Sequence, residues 1–412
     1  MGEERENSFI GSRLSIMMFL QFFVWGAWFV TVGNYMLKSG MGDSIGWAYS
    51  AGPIAAILSP FLLGMLADRF FATERVLGVL HIAGGIVLYC APMVANGAET
   101  ASAFIGMLFL HTVCYMPTLG LTNTLAFHNI TNQEKQFPLI RVFGTLGWIA
   151  ANIVVSKIFH ADETAQPLRI AGGAGVLLGL YCFSLPHTPP PAKGKKVSAR
   201  DLLCLDALAL LKKPSFLIFI ISSMLICIPL AAYYAYAPVF VNASGLEDPA
   251  FKMSFGQMSE IFFMLVMPLF FTRLGVKKML LVGMLAWVVR YGLFALGAPS
   301  GILWMILGGI VLHGICYDFF FVTGQIYVDK AAPVALRGQA QGLLILVTQG
   351  IGMLVGAQVS AKLFSSFVQS RETEVLLGWQ QYWLIPCIAA AVIMVFFAFL
   401  FKGADPGDES EV

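Results

Sequence analysis

Charge is what this sequence has least of. Only 12% of its 412 residues are Asp, Glu, Lys or Arg, and 58% are hydrophobic; soluble proteins carry about 25% charged residues. That balance excludes an ordinary soluble domain and reads as a chain that crosses a membrane many times. The net charge of +2 offers no basic surface for a nucleic acid. Histidines number only six, with no HExxH, no GxSxG and no dense His/Asp cluster, so neither a metal site nor a hydrolase is expected. The seven cysteines fall mostly inside apolar stretches without CxxC spacing. They read as small buried hydrophobes rather than a disulfide or metal framework. GIGMLVG at 350–356 has no strand before it. It reads as a small-residue contact between helices, not a nucleotide loop, and no cofactor is expected.

What is abundant is apolar sequence of spanning length. Runs lie near residues 14–36, 44–66, 76–95, 102–127, 138–159 and 168–185, and again near 214–240, 254–272, 279–298, 301–325, 339–362 and 380–401. A bilayer core needs about 20 apolar residues per helix, so twelve transmembrane helices are expected. The first run is a span rather than a removed signal peptide, since it exceeds 20 residues and lacks a small-residue cleavage site. A Pro-rich and basic stretch divides the chain into a first six-helix half at 1–185, a linker at 186–213 and a second half at 214–412. With the N-terminus cytoplasmic, 17 of the 25 Lys and Arg fall on the inner side and six on the outer, which places both termini inside.

The halves echo each other. HTVCY at 111–115 returns as HGICY at 313–317, and GTLGWIAANIVVSKIF at 144–159 aligns with QGIGMLVGAQVSAKLF at 349–364, at offsets of 202 and 205. Repeated halves around a midplane site are the mark of secondary transporters. The echo also isolates a difference: Met116 follows the first copy of the short motif, Asp318 the second. A charge at the bilayer centre costs about 2.5–3.5 kcal/mol, and no basic residue lies between Arg290 and Lys330. Asp318 is therefore read as a functional addition to a shared scaffold.

Helical spacing groups other polar residues. Arg141, Thr145 and Trp148 stand at i, i+4 and i+7; Gln257 and Glu260 at i and i+3; His313, Tyr317 and Phe321 form a stripe with Asp318 beside it. Such groups should face the bundle interior, because lipid cannot satisfy them. Carboxylate, amide and arginine side chains suit ribose hydroxyls, while aromatic rings suit a flat, polar-edged base. Phe143 joins the aromatic inventory. A sugar would use a similar one, so the residues alone leave the polar cargo open. For proton coupling, Asp318 and Glu260 are the carboxylates inside spans. Burial raises a carboxyl's proton affinity and a neighbouring arginine lowers it, so a group balanced between the two can take a proton and give it up. Asp318 is favoured for this role ahead of Glu260, whose alternative is an ion pair with Arg290.

Two loops and several longer stretches carry a family resemblance. GMLADRFFATER at 64–75 and TRLGVKK at 272–278 resemble the inter-helix motif of the major facilitator superfamily, in which Asp68, Arg69, Arg273 and Lys277 would form gating loops. YMPTLGLTNTLAFH (115–128), FPLIRVFGTLGW (137–148), QMSEIFF (257–263), YDFFFVTGQIYVDK (317–330) and LRGQAQG (336–342) resemble the bacterial nucleoside:proton symporters of that superfamily. The resemblance implies the all-α major facilitator fold, an inner-membrane importer working by alternating access, and nucleoside, protons and the lipid bilayer as its partners, in a protein functional as a monomer. It also implies substrate roles for Arg141, Thr145, Gln257, Glu260, Tyr317 and Asp318. Ala231 and Tyr234 stand where the family has amide side chains, and His313 where it has tyrosine. A symporter of another polar solute, a drug exporter and a nucleoside-sensing transceptor are the competing expectations. Several buried polar groups argue against a purely lipophilic cargo.

Overall fold

The protein was described from a computed structural model covering residues 2–62, 71–190 and 204–402. Among these residues the secondary structure is helical throughout. The first half contains α1 (Gly2–Phe29, continued by Val32–Lys38), α2 (Ile45–Leu62), α3 (Thr73–Cys90), α4 (Ala101–Asn129), α5 (Gln133–Ile153) and α6 (Gln166–Cys182). The second opens with α7 (Pro214–Ala243). A single helical stretch, Pro249–Gly297, then carries two spans, α8 and α9, which part at Gly275 with φ 66° and ψ 178°. Glycine reaches that left-handed φ without the Cβ penalty other residues meet, so one residue does the work of the longer break expected between 272 and 279. The chain ends with α10 (Leu303–Ala331), α11 (Arg337–Gln369) and α12 (Val375–Leu400). Nine helices among the described residues are long and apolar enough to cross a membrane. The doubled Pro249–Gly297 stretch makes ten spans of these, and α2 and α6 complete twelve.

The chain forms two compact units, Met1–Leu202 with Asp248–Ser254, and Leu203–Glu247 with Phe255–Val412. Inside the first unit, close backbone approach is bought with missing side chains. A Cβ on Gly147 of α5 would sit 2.0 Å from the Phe19 carbonyl oxygen of α1. Inside the second, Cβ atoms on Gly352 and Gly356 would meet the Met224 carbonyl at 2.7 Å and the Ile228 Cα at 2.8 Å. The small-residue pattern in GIGMLVG is thus the seat of α11 on α7, the use that small residues have in membranes. Pro53, Pro117, Pro229 and Pro268 all lie inside helices, where each removes an i→i−4 hydrogen bond. One-turn π segments interrupt the helices at Val154–Ile158, Asp318–Val322, Leu346–Gly352 and Ser365–Gln369. Such bulges recur where helices carry function.

Candidate functional site

In the first unit the expected stripe on α5 is built against α1. The Arg141 guanidinium lies 4.2 Å over the Phe22 ring, and Trp148 meets Trp25 edge-on at 5.6 Å and Phe29 at 6.1 Å. Two glycines make room for them: a Cβ on Gly144 would come within 2.7 Å of Arg141 Nη1, and one on Gly26 within 3.0 Å of Trp148. Arg141, Thr145 and Trp148 are all half-buried. Phe143, two residues on from Arg141, faces away from that stripe and is 41% exposed. Sequence reasoning passed over Gln21, which is fully buried. Its amide donates to Thr118 Oγ1 at 2.8 Å, its backbone oxygen accepts from the Tyr115 hydroxyl at 2.6 Å, and its Oε1 has no hydrogen-bond partner. The available signal was an amide midway through the first apolar run.

In the second unit, α8 and α10 touch backbone to backbone. The Ser259 hydroxyl lies 2.6 Å from the Val311 carbonyl and accepts the Gly314 N–H at 3.0 Å. A Cβ on Gly314 would stand 2.6 Å from the Ser259 carbonyl carbon. This clamp sets the stretch of α8 bearing Gln257 and Glu260 against the stretch of α10 bearing His313, Tyr317 and Asp318. Asp318 is completely buried, opens the π segment, and has no hydrogen-bond partner for either carboxyl oxygen. Gln257 Oε1 is likewise buried without a partner. Buried polar atoms are normally satisfied, so two unsatisfied side chains on adjoining helices mark a place where the unit holds polar capacity in reserve.

An aromatic stack lines the same region of the second unit. His313 lies flat on Tyr233 at 5.4 Å and 18°, meets Tyr234 edge-on at 6.0 Å, and is followed along α10 by Tyr317 at 5.8 Å and Phe321 5.2 Å beyond that. Trp287 closes on Phe321 at 5.8 Å. Sequence reasoning offered Arg290 only as an ion-pair partner. The structure gives it a different setting: fully buried, Nε donating to the Gly309 carbonyl at 3.0 Å, and the guanidinium 4.0 Å over Tyr233. Its Nη1 and Nη2 have no hydrogen-bond partner.

Arg273, exposed, and Lys277, half-buried, flank the Gly275 break between α8 and α9. Asp68 and Arg69 lie outside the described residues, as do residues 191–203 of the linker. No group of three or more His, Cys, Asp or Glu among the described residues could hold a metal ion.

Comparison with known proteins bears on these observations. A family model described as "Nucleoside H+ symporter" matches residues 9–406. The putative nucleoside transporter YegT of Escherichia coli K12 is 40% identical over 405 residues, covering 96% of this chain and 94% of that protein. The nucleoside permease NupG of the same strain is 34% identical over 409 residues, covering 95% of each. The crystal structure of the nucleoside transporter NupG superposes with a TM-score of 0.84 at 32% identity, covering 96% of this chain and 99% of that one.

Proposed function

The chain belongs to the nucleoside H+ symporter family, and from that premise we propose how its own residues carry the two cargoes. It is a transporter of the major facilitator fold, not an enzyme, and it couples nucleoside import to protons. Asp318 is the proton-coupling residue in this reading. The observation that carries it is a carboxyl group completely buried in a membrane helix with both oxygens unpartnered. A charge there is expensive, so the group is suited to cross with its proton and to release it only where water or a counter-charge reaches it. Glu260 is the second candidate. Arg141, Thr145, Gln257, Glu260 and Tyr317 take the ribose hydroxyls and the polar edge of the base, and Trp148, Tyr317 and Phe321 supply flat apolar surface for its faces. Phe143 has the weakest support, given its exposure.

The protein works as a monomer in the bacterial inner membrane with both termini cytoplasmic; the distribution of Lys and Arg supports that orientation. One proton descending 100 mV releases about 2.3 kcal/mol. At 1.36 kcal/mol per factor of ten, that supports roughly fifty-fold accumulation of an uncharged nucleoside. The test is uptake of labelled uridine and adenosine by transporter-deficient bacteria expressing wild type or Asp318→Asn, with and without a protonophore. Wild-type uptake should collapse with the protonophore, and the variant should resemble the collapsed state. Protonophore-sensitive uptake by the variant would move coupling to Glu260. Well-expressed wild type with no nucleoside uptake would reassign the cargo to another polar solute.

A further inference from the structure

The polar stripe on α5 does not stop at Trp148. Asn152 stands four residues beyond it and eleven beyond Arg141. At about 100° per residue, that spacing sets Asn152 and Arg141 within roughly 20° of each other around the helix. Asn152 is completely buried, and neither its Oδ1 nor its Nδ2 has a hydrogen-bond partner. It lies inside the span Lys135–Ile158, where lipid offers nothing to bond with. An asparagine in a membrane helix ordinarily bonds to a neighbouring helix; this one does not. One turn back, the Trp148 indole N–H is likewise buried without a partner, as is that of Trp25, which meets Trp148 edge-on. A carboxamide with both ends open therefore extends the face of α5 that carries Arg141.

The internal repeat shows that this amide is not inherited scaffold. The offset of 205 that pairs Gly147 with Gly352 and Lys157 with Lys362 sets Asn152 opposite Ala357. It also sets Thr145 opposite Gly350 and Trp148 opposite Met353, and continued back it sets Arg141 opposite Leu346. The stripe is thus where the copies part. In α11 the corresponding face is small and apolar, and Gly352 and Gly356 beside it seat that helix on α7. Asn152 diverges together with the three residues assigned above to the cargo.

We propose that Asn152 is a specificity-determining residue that reads the polar edge of the nucleobase. The inference rests on the nucleoside reading and deepens it. Along one face of α5, Arg141 and Thr145 take ribose hydroxyls and Trp148 covers a face of the base. Asn152, about 6 Å further along the axis at 1.5 Å per residue, meets the edge of that base. A carboxamide offers an acceptor and a donor side by side, the pairing with which Asn and Gln bond a base bidentately. The cargo class is a nucleoside whose base shows a neighbouring donor and acceptor. In uracil, N3–H donates to Asn152 Oδ1 while Asn152 Nδ2 donates to O4. Binding then satisfies a buried amide that the protein alone leaves unbonded, and a base without that edge strands it.

The test compares uridine with pyrimidin-2-one riboside, which keeps the ribose and the ring but lacks both N3–H and O4. Transporter-deficient bacteria expressing the full wild-type chain should show a KM for the analogue about tenfold above that for uridine, the order expected for two neutral hydrogen bonds. In Asn152→Leu that ratio should fall to about one, through a higher KM for uridine. Asn152→Ala, which installs the second copy's residue, should close the ratio in the same way and guards against a misfit of leucine. A residue that only packs would move both KM values together or neither. A wild-type ratio near one, or a ratio the variants leave unchanged, would overturn the proposal. Melting in detergent is the second readout. Exchanging an unbonded buried amide for leucine should leave the melting temperature at or above that of wild type. Loss of folding in both variants would mean that the amide is bonded within the fold, and the proposal would fail. Absent uridine uptake by well-expressed wild type would overturn the nucleoside reading and this inference with it, whereas normal uptake with an unchanged ratio would overturn this inference alone.

Discussion

In the first unit, the histidine of HTVCY is tied to its neighbours: His111 Nδ1 lies 2.9 Å from the Gly84 carbonyl, with Trp28 edge-on at 5.5 Å. In the second, the histidine of HGICY is held by ring stacking on Tyr233, and its Nδ1 has no hydrogen-bond partner. One residue further on, Thr112 bonds back to the Phe109 carbonyl, whereas Gly314 is pressed against Ser259 of α8. At the sixth place Met116 stands opposite Asp318. Each histidine leaves one ring nitrogen unpartnered, Nε2 in His111 and Nδ1 in His313, but only the second copy adds a tight backbone contact and, one place beyond the frame, a buried carboxyl. Repetition supplies the helix; the departures from it supply the chemistry.

That contrast can be broken by moving residues between the copies. Gly314→Thr, which installs the first copy's residue, forces a Cβ into the Ser259 backbone at 2.6 Å. Overpacking of this kind costs about 3 kcal/mol, and the variant should show a sharply lower melting temperature in detergent, or little folded protein. The reverse change, Thr112→Gly, meets no such wall and should cost about 1 kcal/mol, the helical penalty of glycine. Next in size is His111→Ala, which removes the bond to the Gly84 carbonyl and the edge contact with Trp28 and should lower stability by about 1–3 kcal/mol. Its twin, His313→Phe, keeps the stack on Tyr233 and should leave melting within about 1 kcal/mol while altering the ratio of adenosine to uridine uptake. Equal thermal effects from the two histidines would remove the distinction drawn between them.

Arg290→Met sharpens the same point. Of its three nitrogens only Nε has a hydrogen-bond partner, and replacing buried charged groups by apolar chains of similar volume is often neutral or stabilising. Thermal unfolding should therefore stay within about 1 kcal/mol of wild type, and a loss of 3 kcal/mol or more would mean that the guanidinium is satisfied after all.

The smallest effect is expected at the first turn of α8, capped from the connection between α5 and α6. There the Ala250 N–H donates to Asp162 Oδ1 at 2.8 Å, and the Ser156 hydroxyl lies 2.7 and 2.8 Å from the two carboxyl oxygens. Burial raises the proton affinity of the Asp162 carboxyl, a shift only partly offset by its bonds to Ser156 and Ala250. The capped state, with the higher pKa, binds the proton more readily than the frayed one. The cap is therefore favoured as pH falls through that raised value and weakened as pH rises. Asp248 shifts the other way, held low chiefly by its bond to Lys157. It loses its charge only at a pH below the ordinary aspartate range. Amide hydrogen exchange at 250–253, corrected for intrinsic chemistry, should slow as pH falls through that raised value and be indifferent to pH in Asp162→Asn. Dependence that survives there but vanishes in His160→Gln would assign it to the imidazole, whose Nδ1 stands 3.7 Å from Asp248 Oδ1.

Several features were legible in the chain because they are properties of single helices. Apolar runs announce spans, and Arg141, Gln257, Glu260 and Asp318 stand out as polar residues within them. Helical spacing then places Arg141 with Trp148, and Tyr317 with Phe321, as the rings confirm. Phe143 shows the limit of that argument. It joins the aromatic inventory as a neighbour of Arg141 and not as part of the stripe; at about 100° per residue a position two further on points to another side of the helix, where it is 41% exposed.

By itself, then, the sequence determined the membrane class, the twelve spans and the carboxylate worth explaining, because lipid taxes every polar group in proportion to its depth and so makes each exception visible. Only the tertiary structure decided the Ser259–Gly314 clamp, the seating of Arg290 on Tyr233 and the capping of α8 by Asp162. Each joins residues between 55 and 88 positions apart, with Gly314 and Ser259 at 55, Arg290 and Tyr233 at 57, and Ala250 and Asp162 at 88. At such separations no periodicity carries the pairing, and the partner is set by which helix surfaces can approach closely enough to touch.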